Sequence, residues 1–220
     1  MPETTYSLPY STARRASFGA LLSQTMFLVA IAIAFLVVGS QVGQDLTRGA
    51  AMGCTIGAIV LLLAQNFVGA LRTGAAGMGV LFIVALLMGL GLGPVLQAYS
   101  VAQPDAVTNA AITTGLVVAA AGAVGALTAK DLSGWMRPLS FLLLGAVAVS
   151  WVMLVFGGGG GVAGDAVSLA IGAFSAVAIV VYFNVLRLQA TEDDVIWLAT
   201  GIFVAIVNIF LTLLNLFTND

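Results

Sequence analysis

Seven long apolar runs constrain the fold of this chain more than any other feature of its sequence. A helix that crosses the hydrocarbon core of a bilayer needs about 20 mostly apolar residues. Runs of about that length lie at residues 21–42, 50–71, 74–97, 107–127, 138–156, 167–187 and 195–217. Their apolar residues are continuous rather than alternating, which predicts membrane-spanning helices and not the strands of a barrel.

The composition also indicates a membrane protein. Hydrophobic residues make up 61% of the 220 residues and charged residues only 7%, whereas a soluble domain averages about 25% charged residues. The net charge of −2 gives no reason to expect a nucleic-acid partner. We therefore predict an all-α integral membrane protein, with a single seven-helix domain over residues 21–217 after an N-terminal tail of residues 1–20.

The N-terminal region predicts a retained first helix and a cytoplasmic N-terminus. The run 21–42 is too long for the apolar part of a secretory signal, which spans about 7–15 residues. With the N-terminus in the cytoplasm, only Arg48 falls outside, a strong positive-inside bias. With seven full spans the C-terminus lies outside the cytoplasm. With six spans and a re-entrant last segment it would lie in the cytoplasm. The basic residues on the cytoplasmic side are Arg14, Arg15, Arg72, Lys130, Arg137 and Arg187.

Glycines and one proline mark places where helices approach closely or bend. Gly53 and Gly57 have the GxxxG spacing that lets two helix backbones pack together. Pro94 removes one helical hydrogen bond and predicts a kink in the third helix. Close packing is the simpler interpretation of the glycines, and a flexible hinge beside a pore is the alternative. The hinge would comprise Gly89, Gly91, Gly93 and Pro94, and two more helical glycines are Gly122 and Gly125.

No ionisable side chain falls in the middle of a predicted span, so the polar groups there are neutral. An ionisable residue inside a span is costly and usually functional. The amides and hydroxyls present instead have two interpretations, hydrogen bonds between helices or the lining of an ion or water path. Without histidine, a cysteine pair or a buried acid, the sequence predicts no enzyme activity, cofactor or metal site. The neutral groups are Gln65, Asn66, Thr113, Thr114, Asn184, Asn208 and Asn215.

Charged residues near the last two helices have structural interpretations. Thr191 followed by Asp194 predicts a capping box at the start of the last helix, where negative charge is favourable. The alternative is a weak calcium contact by the acidic turn 192–194. Arg187 lies one turn from Asn184, and we expect its guanidinium to extend to the interface. A latch to another helix is the alternative for Arg187.

Four stretches of the sequence match the motifs of a known family. Gly89–Tyr99 (GLGLGPVLQAY) resembles a glycine-rich third helix, and Leu127–Trp135 (LTAKDLSGW) resembles the loop after a fourth helix. Thr191–Asp194 resembles an acidic turn before the last helix, and Ile206–Leu214 (IVNIFLTLL) resembles a signature within that helix. With these motifs the chain resembles the Bax-inhibitor (transmembrane Bax-inhibitor-motif) family, and most closely its bacterial YccA-like branch. The resemblance implies a compact fold in which six helices surround a central seventh.

The resemblance also implies a function with one element missing. Members that keep a pair of acids on the last two helices are implied to be pH-sensitive calcium leaks. Those positions match Asn184 and Ala205 here, so the acid pair of the pH sensor is absent. Arg72 matches the family's basic latch but has no acid to hold. The YccA-like branch implies instead that the N-terminal tail binds the membrane-anchored protease FtsH.

Two functions therefore stay open. The first is an inner-membrane cation (calcium) leak without the pH sensor, for which the candidate pore or sensor residues are Asn184, Ala205, Asn208, Arg72 and Arg187. The second is a non-conducting modulator or subunit of a membrane complex, such as a regulator of an FtsH-type protease.

Overall fold

The computed structural model describes residues 17–136, 138–142, 145 and 162–218, and it contains six long helices with no strand among these residues. Each of the six is long and apolar enough to cross a membrane. The all-α prediction is confirmed for this part of the chain. The predicted fifth span, 138–156, lies largely outside the described residues, and its positions 138–142 and 145 are helical. The helices are α1 (Phe18–Val42), α2 (Arg48–Phe67), α3 (Gly74–Ala102), α4 (Pro104–Leu127), α5 (Val162–Leu188) and α6 (Val195–Thr218).

Local side-chain chemistry explains several helix ends. The hydroxyls of Ser17 and Thr47 accept hydrogen bonds from backbone N–H groups in the first turns of α1 and α2. Helix α2 ends at Phe67, before the predicted end at Leu71, because Val68 is extended and Gly69–Leu71 forms one 3₁₀ turn. Helix α3 continues through Pro94 to Ala102, and the kink at this proline stays a prediction.

Helix α6 lies at the centre of the described helices, as predicted for the last helix. In its most apolar stretch 61% of the residues are buried, against 22–33% in the other five helices. It packs against α1, α3, α4 and α5, and the side chains of Leu198, Ile202 and Phe203 are completely enclosed. A helix that is surrounded by protein can be apolar on all sides, which accounts for the nearly continuous apolar sequence of this segment.

Glycines allow α1 and α3 to pack backbone against backbone. A Cβ atom added at Gly89 would overlap the carbonyl oxygen of Leu36, and one added at Gly93 would lie 2.5 Å from the carbonyl carbon of Gly43. Gly91 faces α2 in a similar way, where a Cβ would overlap the Thr55 hydroxyl. The three glycines predicted as a hinge therefore serve as close-packing positions in this structure.

The GxxxG spacing in α2 does not mark a close approach of two helix backbones among the described residues. Nothing lies within 4 Å of a Cβ added at Gly53, and at Gly57 only the Leu87 side chain is near, at 3.6 Å. Spacing alone therefore did not distinguish the three predicted hinge glycines of α3, which lie against the backbone or side chain of a neighbouring helix too closely for a Cβ atom, from Gly53 and Gly57 of α2, which have room for one.

We expect Gly89→Ala to lower the free energy of unfolding by about 1–3 kcal/mol, because the added methyl would force α1 away from α3. Gly53→Ala is the matched control and should cause no loss of stability, since its surroundings are open and alanine favours a helix. SDS-induced unfolding in detergent micelles, followed by tryptophan fluorescence, measures the difference. Equal stability of the two variants would contradict the backbone contact at Gly89.

Candidate functional site

The last two helices, α5 and α6, are antiparallel and meet along facing stripes of residues. A Cβ added at Gly201 would lie 2.6 Å from the Tyr182 ring, and one added at Gly172 would lie 2.7 Å from the Thr212 side chain. Residues spaced three and four apart share one face of a helix, so the intervening members of each stripe also lie in the contact. The stripe on α5 is 168, 172, 175, 179 and 182, and the stripe on α6 is 201, 205, 208, 212 and 215.

This helix contact, which we call the α5–α6 seam, is polar over one half and apolar over the other. At one end the amide of Asn215 donates to the carboxylate of Asp165 at 3.2 Å. Further along, the Thr212 hydroxyl donates to the backbone carbonyl of Ser168 at 2.9 Å. Next come Ser175 and Asn208, which are both buried. The stripe then becomes hydrophobic until the Asn184 end of the bundle.

Asn184 is completely buried, and its side chain binds the backbone that follows α4. Its Oδ1 accepts a hydrogen bond from the Leu132 N–H at 2.9 Å. Its Nδ2 lies 2.8 Å from the carbonyl oxygen of Thr128, 3.1 Å from that of Lys130 and 3.4 Å from that of Gly125. The last carbonyls of a helix have no partner within it, so this amide closes the C-terminal end of α4. We call this arrangement the Asn184 clamp.

Glycine and arginine residues support the Asn184 clamp. A Cβ at Gly125 would overlap the Val180 carbonyl, and one at Gly122 would lie 3.0 Å from the Phe183 ring. These two glycines bring α4 close enough for Asn184 to reach its end. Arg187 also donates to the Thr128 carbonyl, at 2.8 Å from its Nη2. In this structure Arg187 therefore contacts the end of α4, as in the latch alternative, rather than only extending to the interface.

An arginine closes the C-terminal end of α2 in a comparable way. The Nε of Arg72 donates to the Gln65 carbonyl at 2.9 Å, and its Nη2 donates to the Asn66 carbonyl. Its guanidinium lies over the Trp197 ring, 5.8 Å from the ring centre. The buried Gln65 side chain donates to the Thr200 hydroxyl at 3.3 Å. Together these contacts tie the end of α2 to the first turns of α6.

The structure places the predicted site residues in three separate positions. Asn184 and Arg187 lie at the end of α4, Arg72 lies at the end of α2, and Asn208 lies in the α5–α6 seam. Ala205 is also buried in the seam, but it is four residues beyond Gly201 and so lies near the level of position 178. That level is about 9 Å along the helix axis from Asn184. The two positions matched to the family's acid pair are therefore not adjacent in this structure.

Three residues of the site were missed from sequence, namely Ser175, Trp197 and Thr200. Ser175 is three residues from Gly172 and seven from Tyr182, which places the three on one face of the helix, and this pattern was the available signal. Trp197 and Thr200 gave no local signal, because their partners, Arg72 and Gln65, are distant in the chain.

All acidic side chains in the described part of the chain lie in connections or in the first turn of a helix. The Asp194 carboxylate accepts hydrogen bonds from the Thr191 N–H at 2.9 Å and from its hydroxyl at 2.8 Å. The predicted contribution of these residues to helix capping is thereby confirmed. In the middle of the described spans, the polar groups that face one another are therefore neutral. The acidic residues are Asp45, Asp105, Asp131, Asp165, Glu192, Asp193 and Asp194.

Comparison with known proteins gives two matches that cover nearly all of the chain. The family described as inhibitor of apoptosis-promoting Bax1 matches residues 14–220. An uncharacterized protein of Pseudomonas aeruginosa is 29% identical over 233 residues, a match that covers 99% of this chain and 97% of the relative. The relative is thus similar to this chain from end to end.

We expect Asn184→Leu to lower the free energy of unfolding by about 1–3 kcal/mol, because it leaves buried backbone groups without partners. It should also accelerate trypsin cleavage after the exposed Lys130, since the loop loses its attachment to α5. Asn66→Leu is the matched control, because the Asn66 amide donates only to the Leu62 carbonyl of its own helix. Equal cleavage rates at Lys130 in the two variants would show that other contacts hold the loop.

Proposed function

This chain is a multi-pass membrane protein of the Bax inhibitor family, and we propose that it forms a slow cation leak that is not regulated by pH. Calcium is the candidate ion and the bacterial inner membrane the proposed location. The observation that carries this proposal is the Asn184 clamp, in which a neutral amide holds the end of α4 against α5.

The chemistry of the Asn184 clamp supports a closure that does not respond to acid. An amide donates and accepts at the same time and does not titrate. Here it donates toward carbonyl groups and accepts from one N–H, so the contact has the same strength at any physiological pH. A carboxylate at this position could bind the N–H, but once ionised it could not donate to the carbonyls.

The polarity of the α5–α6 seam supports a path that is closed at one end. Polar groups extend from Asp165 and Asn215 to Ser175 and Asn208. From there to the Asn184 clamp the stripe contains Ile179 and Ala205, which are completely buried. Conduction would therefore require α5 to move away from α6 in the apolar half, and the Asn184 clamp restrains α5 by attaching it to the end of α4.

The distribution of basic residues supports an orientation with the Asn184 clamp facing the cytoplasm. Arg72 and Arg187 bind helix ends at the same side of the bundle, and Lys130 lies in the loop held by Asn184. Arg48 lies at the opposite end, at the start of α2. The positive-inside rule places the more basic side in the cytoplasm, with the end of α6 on the other side.

A second function, a non-conducting modulator or subunit of a membrane complex, is favoured by the position of the acids. Divalent cations prefer carboxylate oxygens, and the described acidic residues lie outside the middle of the spans. A regulator of an FtsH-type protease is the specific form of this alternative. The N-terminal tail, its proposed contact, lies outside the described residues.

A calcium-flux assay in proteoliposomes distinguishes the two functions. We expect a slow leak whose rate changes by less than about twofold between pH 6 and pH 8, because the chain has no histidine and the clamp is neutral. Vesicles without the protein are the control. A steep acid dependence would contradict the proposal, and no flux together with copurification of a large membrane complex would favour the non-conducting function.

We expect Asn184→Ala to raise the calcium flux by about fivefold or more. Loss of about 1–3 kcal/mol from the closed state alone shifts the ratio of open to closed molecules by at least this factor. Asn66→Ala should leave the flux unchanged, since the hydrogen bond of that amide is to the Leu62 carbonyl of its own helix. Equal flux in both variants, at equal protein incorporation, would show that the Asn184 clamp does not control conduction.

A further inference from the structure

Four buried side-chain atoms have no hydrogen-bond partner within the described protein, namely Thr25 Oγ1, Ser175 Oγ, Arg187 Nε and Asn208 Nδ2. Two of them, the hydroxyl of Ser175 on α5 and the Nδ2 of Asn208 on α6, lie on the facing stripes of the α5–α6 seam. Ser175 has no exposed surface, and Asn208 is 6% exposed. Burying each of these groups costs free energy, because the group loses its hydrogen bonds to water and gains none from the protein.

The two groups lie at the same depth and on the same contact. Gly172 packs against Thr212 on one side of them, and Tyr182 packs against Gly201 on the other. Ser175 is three residues from Gly172, and Asn208 is four residues from Thr212, so both are on the layer next to that contact. Asn208 is 13 residues from the start of α6, which is about 20 Å along the axis and far from either interface.

The Ser175 hydroxyl differs from most buried hydroxyls in this protein. Those of Thr114 and Thr200 donate to the carbonyl four residues earlier in their own helix, at 2.7 and 2.9 Å. Thr212 donates across the seam to the Ser168 carbonyl. Ser175 makes neither kind of bond, so its donor is available to a molecule in the seam.

We propose that Ser175 and Asn208 bind one water molecule between α5 and α6. The Asn208 Nδ2 is a donor and the Ser175 hydroxyl can donate or accept, so their guest must accept at least one hydrogen bond. A bare cation or anion would carry a charge into the membrane interior at high cost. Water accepts from both donors, and its own protons can bind the lone pairs of the Thr212 hydroxyl. Three partners are typical of a buried water.

This water joins the two helices at a point where the protein alone makes no polar contact. It does not depend on whether the protein conducts ions, because a single trapped water needs no continuous path. The site is the innermost point of the polar half of the seam.

Proton-detected solid-state NMR of the protein in liposomes, with ¹⁵N-labelled asparagine, tests the site. We expect magnetisation from water to reach the Asn208 amide about threefold faster than the Asn184 amide, or more, since Asn184 is also buried, at 0% exposed against 6% for Asn208, but binds only protein groups. The partly exposed Asn215 gives the upper reference, and Asn208→Leu and Asn184→Leu assign the signals. Equal transfer to Asn208 and Asn184 would overturn the proposal.

Two variants locate the water. Ser175→Val fills the layer with methyl groups, and transfer to Asn208 should fall to the level of Asn184. Unchanged transfer in a folded Ser175→Val protein would overturn the shared site.

Ser175→Ala supplies an independent test, because the direction of its effect on stability differs between a hydrated and a dry site. Loss of a hydrated hydroxyl should lower resistance to SDS unfolding, whereas loss of a dry, unmatched hydroxyl would raise it, and that result would also overturn the proposal.

Discussion

The structure depends on hydrogen bonds that protein side chains make to the carbonyl groups at the ends of two helices. The last carbonyls of α2 and α4 have no partners inside their helices, and neither helix ends in a glycine that turns the chain back on itself, since Val68 and Thr128 are extended. Side chains from elsewhere supply the donors. Arg72 binds the end of α2, and Asn184 with Arg187 binds the end of α4. These bonds fix where the helices stop and which helices they contact.

The same bonds decide what the site can do chemically. Because Asn184 is neutral and fully hydrogen bonded, the end of α4 is held by groups that neither gain nor lose a proton near neutral pH. The guanidinium of Arg72 lies between backbone carbonyls and the face of Trp197, with no carboxylate involved in these contacts. A carboxylate in place of Asn184 would change its contacts with pH, whereas the amide that this chain has there does not titrate.

The fold class could be predicted from the sequence, because a bilayer imposes one simple rule on each segment. Apolar runs of about 20 residues must form helices to satisfy their backbone groups, and six of the predicted spans correspond to long helices here. Capping at Thr191 and Asp194 was also predictable, since its partners are three residues apart. The end of α2 was predicted at Leu71, beyond Phe67, because the apolar run continues through the 3₁₀ turn Gly69–Leu71.

The site was only partly predictable, because its geometry joins residues far apart in the chain. The sequence by itself determined that the spans hold amides and hydroxyls in place of acids, and it identified Asn184, Asn208, Arg72 and Arg187 as the polar groups to examine. Tertiary structure alone decided which of them act together. Gly122 and Gly125 let α4 approach α5, so Asn184 reaches a backbone more than 50 residues away. The axial offset of the antiparallel helices α5 and α6 separates Asn184 from Ala205 and brings Ser175 level with Asn208. Sequence spacing shows which residues share a face of one helix, but it does not give the axial position of that helix relative to its neighbour.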